Sequence, residues 1–377
     1  MQLRDLHRQY EAMKAEMDEA LLRTVNSGTY IMGDAVANLE QQLADYVGVK
    51  HCIACANGTD ALRMALMAWD IGKGDAVFVP DFTFFASAEV VALQGATPIF
   101  VDVNRDNYNI NSDDLIAKVS HIEKNTNLRP AVVIAVDLFG QPANHKALTD
   151  ICRSRRMFLL EDGAQGFGGA IGSEKACSFG DISATSFFPA KPLGCYGDGG
   201  AVFTDNDEWA QKIRSLRVHG KGSDKYDNIR IGLNSRLDTI QAAVLQVKLK
   251  HFDSEVVAVN RIAQLYHSLL DGTVVKPTVN IGYTSSWAQY TVQCHDRDAL
   301  QQRLREEGIP SAIYYPRPLH LQSAFSGILP LQQPCPTAER LSSEVLSLPM
   351  HPYLTDKEVE IVAHTINTIQ KHCQPHE

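Results

Sequence analysis

A lysine in an unusually apolar turn is the side chain of this sequence best suited to covalent chemistry. Lys191 lies in the segment SFFPAKPLGCYGDGG (residues 186–200), where an apolar run leads into a glycine-rich turn. A lysine held at the floor of a cleft loses its proton more readily, and its free amine can then form a Schiff base with a carbonyl group. The alternative is a solvated surface lysine, but neighbours such as Phe187, Phe188 and Leu193 are too apolar for that setting.

A second candidate for chemistry is Asp162, which follows the apolar run 158–160. A carboxylate at the end of a buried strand stands where the protein interior gives way to a cleft. There it can pair with a protonated pyridine nitrogen, and this pairing makes a pyridine ring an electron sink. The alternative is an acid that caps the next helix, since aspartate after a strand is common in α/β proteins.

A phosphate-binding turn is predicted by the segment CANGTDAL (residues 55–62). Its strand ends before Gly58, which permits close backbone approach, and a helix is predicted to begin at Thr59. The free N–H groups and the positive dipole end of such a helix bind anions. Ser186 lies at the end of the strand before Lys191, so its hydroxyl can donate to the same phosphate. A capped turn without any ligand is the alternative at Thr59.

Two more segments fit the same cleft. Phe84, in PDFTFFA, lies at a strand–helix junction where an aromatic side chain can stack on a flat ring, although core packing is the alternative for at least two of its three phenylalanines. The stretch 217–238 is polar and cationic and includes Arg236. It is interpreted either as a solvated loop or as an anion-binding loop that reaches a substrate or a neighbouring subunit. Together these segments supply the parts of a site for pyridoxal phosphate (PLP).

The elements that must position these residues follow from short apolar runs that alternate with helical patterns. Strands are predicted at 51–56, 76–79, 97–101, 131–137, 157–160, 184–188 and 200–204. Helices are predicted at 59–68, 85–93, 113–119, 143–153 and 207–216. This alternation predicts an α/β fold with a mostly parallel central sheet covered by helices, in which ligands bind at the carboxyl ends of the strands.

The last third of the chain has a different pattern. A long connecting helix is predicted at about 235–270, with an N-cap at Ser235, and strands at 288–294 and 312–315 alternate with helices at 299–307 and 356–370. This pattern predicts two domains, a large PLP-binding α/β domain at 1–250 and a small C-terminal α+β domain at 251–377.

Composition narrows the functional classes. The chain has 35 Lys and Arg against 44 Asp and Glu, a net charge of −9, which argues against nucleic-acid and anionic-membrane partners. We find neither an apolar run of about 20 residues nor an apolar signal core, so we expect a soluble cytoplasmic protein. The eight cysteines are expected to be reduced, and the Cys52–Cys55 pair is interpreted as part of a buried strand, so no metal site is predicted.

The ordered segments NGTDAL, FTFFAS, EDGAQ, SFFPAKPLGCYGDGG and NSRLDTIQAA resemble the DegT/StrS-type nucleotide-sugar aminotransferases. The resemblance covers the chain from Leu6 to about Pro352. It implies a fold-type I PLP enzyme that forms a homodimer with active sites built from both subunits. One departure is Gly163, where the family commonly has alanine; because the position needs a small residue, glycine should be tolerated.

The resemblance also implies roles for particular residues. Lys191 would hold PLP as a Schiff base and move a proton, and Asp162 would contact the pyridine nitrogen. The other implied PLP contacts are Gly58, Thr59 and Ser186 at the phosphate, Phe84 stacked on the ring, Gln165 at the ring hydroxyl, and Asn234 reaching the phosphate from the partner subunit. The implied substrate contacts are Tyr30, Gly33, Arg236, Tyr315, Arg317 and His320.

Among such enzymes, the segments GLNSRLDTIQAA and SLPMHPYL look most like those acting on UDP-2-acetamido-2-deoxy-3-oxoglucuronate. The implied reaction is amination at C3, with L-glutamate as donor, for surface polysaccharide biosynthesis. An aminotransferase acting at C4 of a UDP- or dTDP-4-keto-6-deoxy sugar is an alternative. A PLP-binding regulator without turnover and a PLP-free α/β binding protein are alternatives from other classes.

Overall fold

The computed structural model describes residues 1–224, 226–327 and 333–373. Its α-helices are α1 (Leu6–Ala12), α2 (Lys14–Ser27), α3 (Asp34–Val47), α4 (Gly58–Ala68), α5 (Ala86–Leu93), α6 (Ser112–Asn125), α7 (His145–Arg155), α8 (Asp207–Leu216), α9 (Thr239–Leu269), α10 (Arg297–Glu306), α11 (Pro336–Glu344) and α12 (Asp356–Cys373). Its strands are β1 (His51–Cys55), β2 (Asp75–Pro80), β3 (Thr97–Val101), β4 (Arg129–Val136), β5 (Phe158–Asp162), β6 (Ala170–Ile171), β7 (Glu174–Lys175), β8 (Ile182–Ser186), β9 (Gly200–Thr204), β10 (Tyr283–Thr284), β11 (Tyr290–Gln293) and β12 (Val345–Leu348).

The central sheet has seven strands in the order β1-β9-β8-β5-β4-β2-β3. The strands from β8 through β5, β4 and β2 to β3 pair in parallel, whereas β9 runs antiparallel to both of its neighbours. The predicted mostly parallel sheet is therefore confirmed. All seven strands predicted in the first two-thirds of the chain occur in it, with ends that differ by a few residues.

Alternating side chains explain why helices cover both faces of this sheet. In β2, Val77 and Val79 pack into one hydrophobic cluster, while Ala76 and Phe78 pack into another on the opposite face. Successive residues of a strand point to opposite faces, so an uninterrupted apolar strand needs cover on each side. No helix among the described residues is long and apolar enough to cross a membrane.

The long helix α9 belongs to two hydrophobic clusters. Its first half, including Val244 and Phe252, packs with residues of α3 and β9, whereas its second half, including Ile262 and Tyr266, packs with β11, β12 and α12. The two-stranded β11–β12 sheet is separate from the central sheet. A domain boundary at residue 250 would fall inside α9, and the division into two domains stays a prediction.

Two details predicted in the C-terminal part of the chain are wrong. The helix predicted from Ser235 begins at Thr239, because Ser235 is held in an extended loop by bonds from its N–H to the oxygen of Arg217 and from the N–H of Ala56 to its hydroxyl. The strand predicted at 312–315 is a single bridge between Ala312 and Ser347.

Candidate active site

Three of the predicted cofactor residues meet at one edge of the central sheet. Asp162 is the last residue of β5, Ser186 is the last residue of β8, and Gly58 opens α4 just after β1. The carboxyl ends of β5 and β8 lie side by side because these strands pair in parallel. This edge of an open α/β sheet is where such folds bind ligands.

Asp162 is buried and held by two hydrogen bonds. Its Oδ2 accepts from the hydroxyl of Ser87 at 2.8 Å, and its Oδ1 accepts from the backbone N–H of Ala164 at 3.2 Å. Burial raises the pKa of Asp162, while the Ser87 bond and the positive charge of Lys191 oppose that rise. The carboxylate is therefore oriented, and an adjacent cation stabilises its charged form.

Lys191 lies in the loop between β8 and β9, where its backbone N–H donates to the oxygen of Phe188 at 2.8 Å. Burial lowers the pKa of Lys191, the carboxylate of Asp162 opposes this effect, and the guanidinium of Arg4 adds to it. A lysine with a lowered pKa presents more free amine near neutral pH. This is the state that attacks a carbonyl group.

The start of α4 lies against Ser186. A Cβ atom added at Gly58 would come within 2.7 Å of the Ser186 Cβ, so these two residues enclose a space with no room for a side chain at position 58. Asn57 caps the helix by accepting from the N–H of Asp60 at 2.8 Å. Thr59 lies in the first helical turn, where N–H groups have no intrahelical partner and suit a phosphate.

Substitution of Gly58 with alanine is expected to weaken PLP binding by about tenfold or more. The new methyl group would push Ser186 and the start of α4 apart, which misplaces the phosphate donors. Fluorescence titration of the apoenzyme with PLP measures the change. Gly272→Ala serves as the control, because a Cβ atom added at Gly272 would meet no other atom within 4 Å. Gly48 is also free of such contacts, but its positive φ makes alanine unfavourable there. An unchanged dissociation constant for Gly58→Ala would contradict this arrangement.

Phe84, Gln165 and Tyr315 form one wall of the site. The side chain of Gln165 donates to the Tyr315 hydroxyl at 3.0 Å and accepts from the N–H of Phe139 at 2.8 Å. The ring of Phe84 is 54% exposed and lies 6.3 Å from the ring of Tyr315. An exposed aromatic face beside polar groups suits stacking on a flat heterocycle.

Packing against Cys177 explains why this chain has glycine at position 163. A Cβ atom at this position would come within 2.5 Å of the Sγ of Cys177, which is completely buried. The space that the methyl group of an alanine would need is thus filled by a neighbouring side chain. The glycine therefore accommodates Cys177 and leaves the backbone of Asp162 and Ala164 in place.

Four other predicted contacts, Tyr30, Gly33, Asn234 and Arg236, lie near the start of α9. Thr239, at the start of α9, donates from its N–H to the oxygen of Tyr30 and accepts at its hydroxyl from the N–H of Gly33. Arg236 donates to the side-chain oxygen of the exposed Asn234 at 2.6 Å. The structure thus groups these four predicted residues around the start of α9.

Arg317 and His320 lie in the segment that follows Tyr315. Arg317 is exposed. His320 pairs with the fully buried Asp81, to which it donates from its backbone N–H at 2.8 Å and approaches with Nδ1 at 2.6 Å. Its Nε2 lies 3.5 Å from Glu339. In this structure His320 therefore anchors the segment that carries Tyr315 to the loop that precedes Phe84.

Replacement of His320 by glutamine is expected to destabilise the protein more at pH 6 than at pH 9. The hydrogen bond to Asp81 raises the pKa of His320, and burial opposes the rise. A raised folded-state pKa contributes stability that is complete below the unfolded value of about 6.5 and is lost as the pH rises through the folded value. Urea unfolding at both pH values measures the difference, with the exposed His7→Gln as control. A loss of equal size at both pH values would argue against a charged His320.

Sequence reasoning missed three supporting residues. Ser87 orients Asp162, Asn57 caps α4, and Arg4 donates to the backbone oxygens of Lys191 and Pro192. The asparagine that precedes Gly58 is a helix-cap signal that could have been used. Nothing local in the sequence links Arg4 to a turn that lies 187 residues away.

A mostly parallel sheet that brings a lysine turn, a buried aspartate and a helix start together defines a fold-type I PLP-dependent enzyme. Residues 11–367 match the DegT/DnrJ/EryC1/StrS aminotransferase family, and the chain belongs to that family. It is a PLP-dependent aminotransferase of the kind that acts on nucleotide sugars.

Three relatives are similar to this chain along most of its length. UDP-2-acetamido-2-deoxy-3-oxo-D-glucuronate aminotransferase of Pseudomonas aeruginosa is 41% identical over 359 residues, covering 95% of this chain and 97% of the relative. The crystal structure of a DegT DnrJ EryC1 StrS aminotransferase from Brucella abortus is 48% identical with a TM-score of 0.96, covering 98% and 99% of the two chains. NtdA of Bacillus subtilis, solved with bound cofactor PMP, is 26% identical with a TM-score of 0.86, covering 96% of this chain and 82% of NtdA.

Proposed function

We propose that this aminotransferase moves an amino group from L-glutamate to C3 of UDP-2-acetamido-2-deoxy-3-oxoglucuronate, in the biosynthesis of a surface polysaccharide. The observation that carries this proposal is the 41% identity to the Pseudomonas enzyme named for that substrate, along nearly the full length of both chains. The proposed place of action is the cytoplasm, where such nucleotide sugars would be modified before assembly.

The residue roles are part of the proposal. Lys191 holds the cofactor covalently, and Asp162 keeps a proton at the pyridine nitrogen. The remaining cofactor contacts are Gly58, Thr59 and Ser186 at the phosphate, Phe84 on the ring face and Gln165 at the ring hydroxyl. Burial of Asp162, the lowered pKa of Lys191 and the space closed by Gly58 and Ser186 all support this assignment.

When bound, PLP supplies an electron sink and a temporary carrier for the amino group. The chain's own residues do the rest. With the cofactor bound, the amine of Lys191 would take the α-proton of glutamate and later deliver a proton to the sugar carbon that gains nitrogen. The carboxylate of Asp162 would hold a proton at the pyridine nitrogen. Because one product leaves before the second substrate enters, initial rates should follow ping-pong kinetics.

A uronate substrate requires a cation for its carboxylate, because burying an unpaired charge is costly. We propose Arg317 and Arg236 for this contact. Arg317 is exposed and follows Tyr315 by two residues, and Tyr315 is already bonded to Gln165 in the wall of the site. Tyr30, Gly33 and His320 complete the proposed substrate contacts.

A second copy of the chain is proposed to complete the site, with Asn234 reaching the phosphate of the partner subunit. Large apolar side chains stand exposed near Asn234: Ile231 is 89% exposed and Tyr226 is 84% exposed, and Ile31 and Met32 are exposed on the segment bonded to α9. Exposed apolar side chains that form a patch are typical of a protein–protein interface, and these side chains support the proposed contact. Sedimentation equilibrium is expected to give a dimer.

The test of the substrate compares three keto-sugars, each with L-glutamate and purified enzyme. These are the UDP-3-oxo-uronate, the UDP-3-oxo sugar with a hydroxymethyl group in place of the carboxylate, and a dTDP-4-keto-6-deoxy sugar. We expect the highest kcat/KM for the uronate, and Arg317→Gln should raise KM for the uronate more than for its uncharged analogue. Amination of only the 4-keto-6-deoxy sugar would establish the C4 alternative instead. A yellow protein that no amino donor converts to the pyridoxamine form would favour the regulator.

A further inference from the structure

Two cationic side chains, the half-buried Arg4 and the buried Lys248, bond the turn that carries Lys191. Nη2 of Arg4 donates to the backbone oxygens of Lys191 at 2.7 Å and Pro192 at 3.1 Å. From α9, Nζ of Lys248 donates to the backbone oxygen of Gly194 at 2.6 Å. Three carbonyl groups of the segment 191–194 are therefore fixed by cations that come from distant parts of the chain.

Burial of the Lys248 ammonium has an unfavourable free energy. Its side chain is completely buried, and its ammonium lies 4.5 Å from the centre of the Tyr196 ring. Burial lowers the pKa of Lys248 to about 8. Lysine is almost never fully buried unless it is paired, so a purely apolar residue would be the ordinary choice at this position of α9.

One carboxylate, Glu255, interacts with both Arg4 and Lys248. Its Oε1 also accepts from the amide of Gln9 at 2.9 Å and from the hydroxyl of Tyr353 at 2.7 Å. The nearby imidazole of His351 stays neutral, because burial lowers the pKa of His351 to about 4. In this network one anion is thus matched with two cations, which leaves positive potential behind Lys191.

We propose that Arg4 and Lys248 are positioning residues for Lys191, because their hydrogen bonds fix the turn that carries it, and that the guanidinium of Arg4 also disfavours a positive charge on the Lys191 amine. The inference rests on the proposed role of Lys191 as the residue that holds the cofactor. Two charged groups face that amine from the packed elements, Asp162 from β5 and Arg4 from the segment before α1. Asp162 favours the ammonium form of Lys191, and Arg4 opposes it.

The test measures the reactivity of Lys191 in the full-length enzyme after PLP has been removed. Competitive acetylation between pH 6 and pH 10, followed by peptide mass spectrometry, compares Lys191 with the exposed Lys50 as internal reference. We expect Arg4→Met to lower the relative labelling of Lys191 at pH 8 by about three- to tenfold, because removal of a nearby positive charge favours the ammonium form. Lys248→Met should also lower the labelling, because the turn that orients the amine loses the bond that fixes the carbonyl group of Gly194.

Matched variants separate positioning from general loss of structure. Arg4→Lys retains the charge on a shorter side chain, so labelling is expected to lie between that of Arg4→Met and that of the wild type. Arg8→Met removes a cation that bonds Glu358 instead of the turn, and should leave the profile of Lys191 unchanged. With PLP and both substrates present, Arg4→Met should lower kcat more than it raises KM for the keto-sugar. Where Arg4→Met fails to fold, Arg4→Gln and Lys248→Met undergo the same labelling.

Unchanged labelling of Lys191 in folded Arg4 and Lys248 variants would overturn the inference, as would an equal change in Arg8→Met. Borohydride treatment of the wild-type holoenzyme tests the proposed role of Lys191 separately. If no reduced PLP adduct forms on Lys191, the proposed role fails. If the adduct forms and the labelling does not respond to Arg4 or Lys248, only the positioning inference fails.

Discussion

Replacement of Lys191 with alanine is expected to abolish covalent PLP attachment and to lower kcat by at least ~10⁴-fold. The variant loses both the amine that links the cofactor and the base that moves the substrate proton, and a positioned acid–base group alone contributes about 10²- to 10⁴-fold. Borohydride reduction with peptide mapping measures the first loss, and a glutamate-dependent assay with the keto-sugar measures the second.

Two variants control for this result. Lys191→Arg retains a positive charge in the turn and is also expected to be inactive, because a guanidinium does not form the imine linkage at neutral pH. Lys50→Ala removes an exposed lysine that pairs with Asp207. This variant should keep the full amount of reduced PLP adduct on Lys191 and full activity. A reduced adduct on any lysine other than Lys191, or turnover by Lys191→Ala within tenfold of the wild type, would refute the assignment.

The sheet edge where Asp162, Ser186 and Gly58 meet was predictable, because each of these residues has a recognisable sequence pattern around it. Asp162 and Ser186 end apolar strands, and Gly58 lies between a strand and a helix, so parallel pairing alone brings them to one edge. Family resemblance then supplied roles that local patterns leave open, such as the choice between a helix cap and a pyridine partner for Asp162.

The misplaced elements lie where long-range bonds override local pattern. Ser235 looks like a helix cap in the sequence, but its N–H and hydroxyl bond Arg217 and Ala56, which hold it in an extended loop. The β-branched and aromatic residues after Ala312 favour a strand. Only the bridge between Ala312 and Ser347 forms in this segment, and the side chain of Tyr315 is bonded to Gln165 in the site instead.

The pKa values of Asp162 and Lys191 depend on each other, and no single sequence segment shows this. Asp162 tends to gain a proton on burial and Lys191 tends to lose one, and their mutual attraction opposes both tendencies. Ser87 then stabilises the carboxylate, whereas Arg4 acts against the ammonium. An ionised acid beside a lysine that readily gives up its proton is the combination that imine chemistry with a protonated pyridine requires.

Substitution of Asp162 with asparagine is therefore expected to lower kcat by about 10²- to 10³-fold while the protein still binds PLP on Lys191. An amide keeps the size of the side chain but cannot stabilise a proton on the pyridine nitrogen, and losing one partner of a buried charge pair costs about 3–5 kcal/mol. The same change removes the negative charge that opposes deprotonation of Lys191, so labelling of Lys191 in the apoenzyme should increase at pH 8.

Rapid-mixing kinetics of the glutamate half-reaction and absorbance of the bound cofactor measure the effect of Asp162→Asn. Asp70→Asn, on the surface beside Lys212, is the matched control and should behave as wild type. Asp162→Glu keeps the charge but displaces it by one methylene group from the Ser87 bond, so it should lie between Asn and wild type. If Asp162→Asn retained wild-type kcat, the pyridine partner would have to be another group, and the electrostatic pairing of Asp162 with Lys191 would serve stability instead of catalysis.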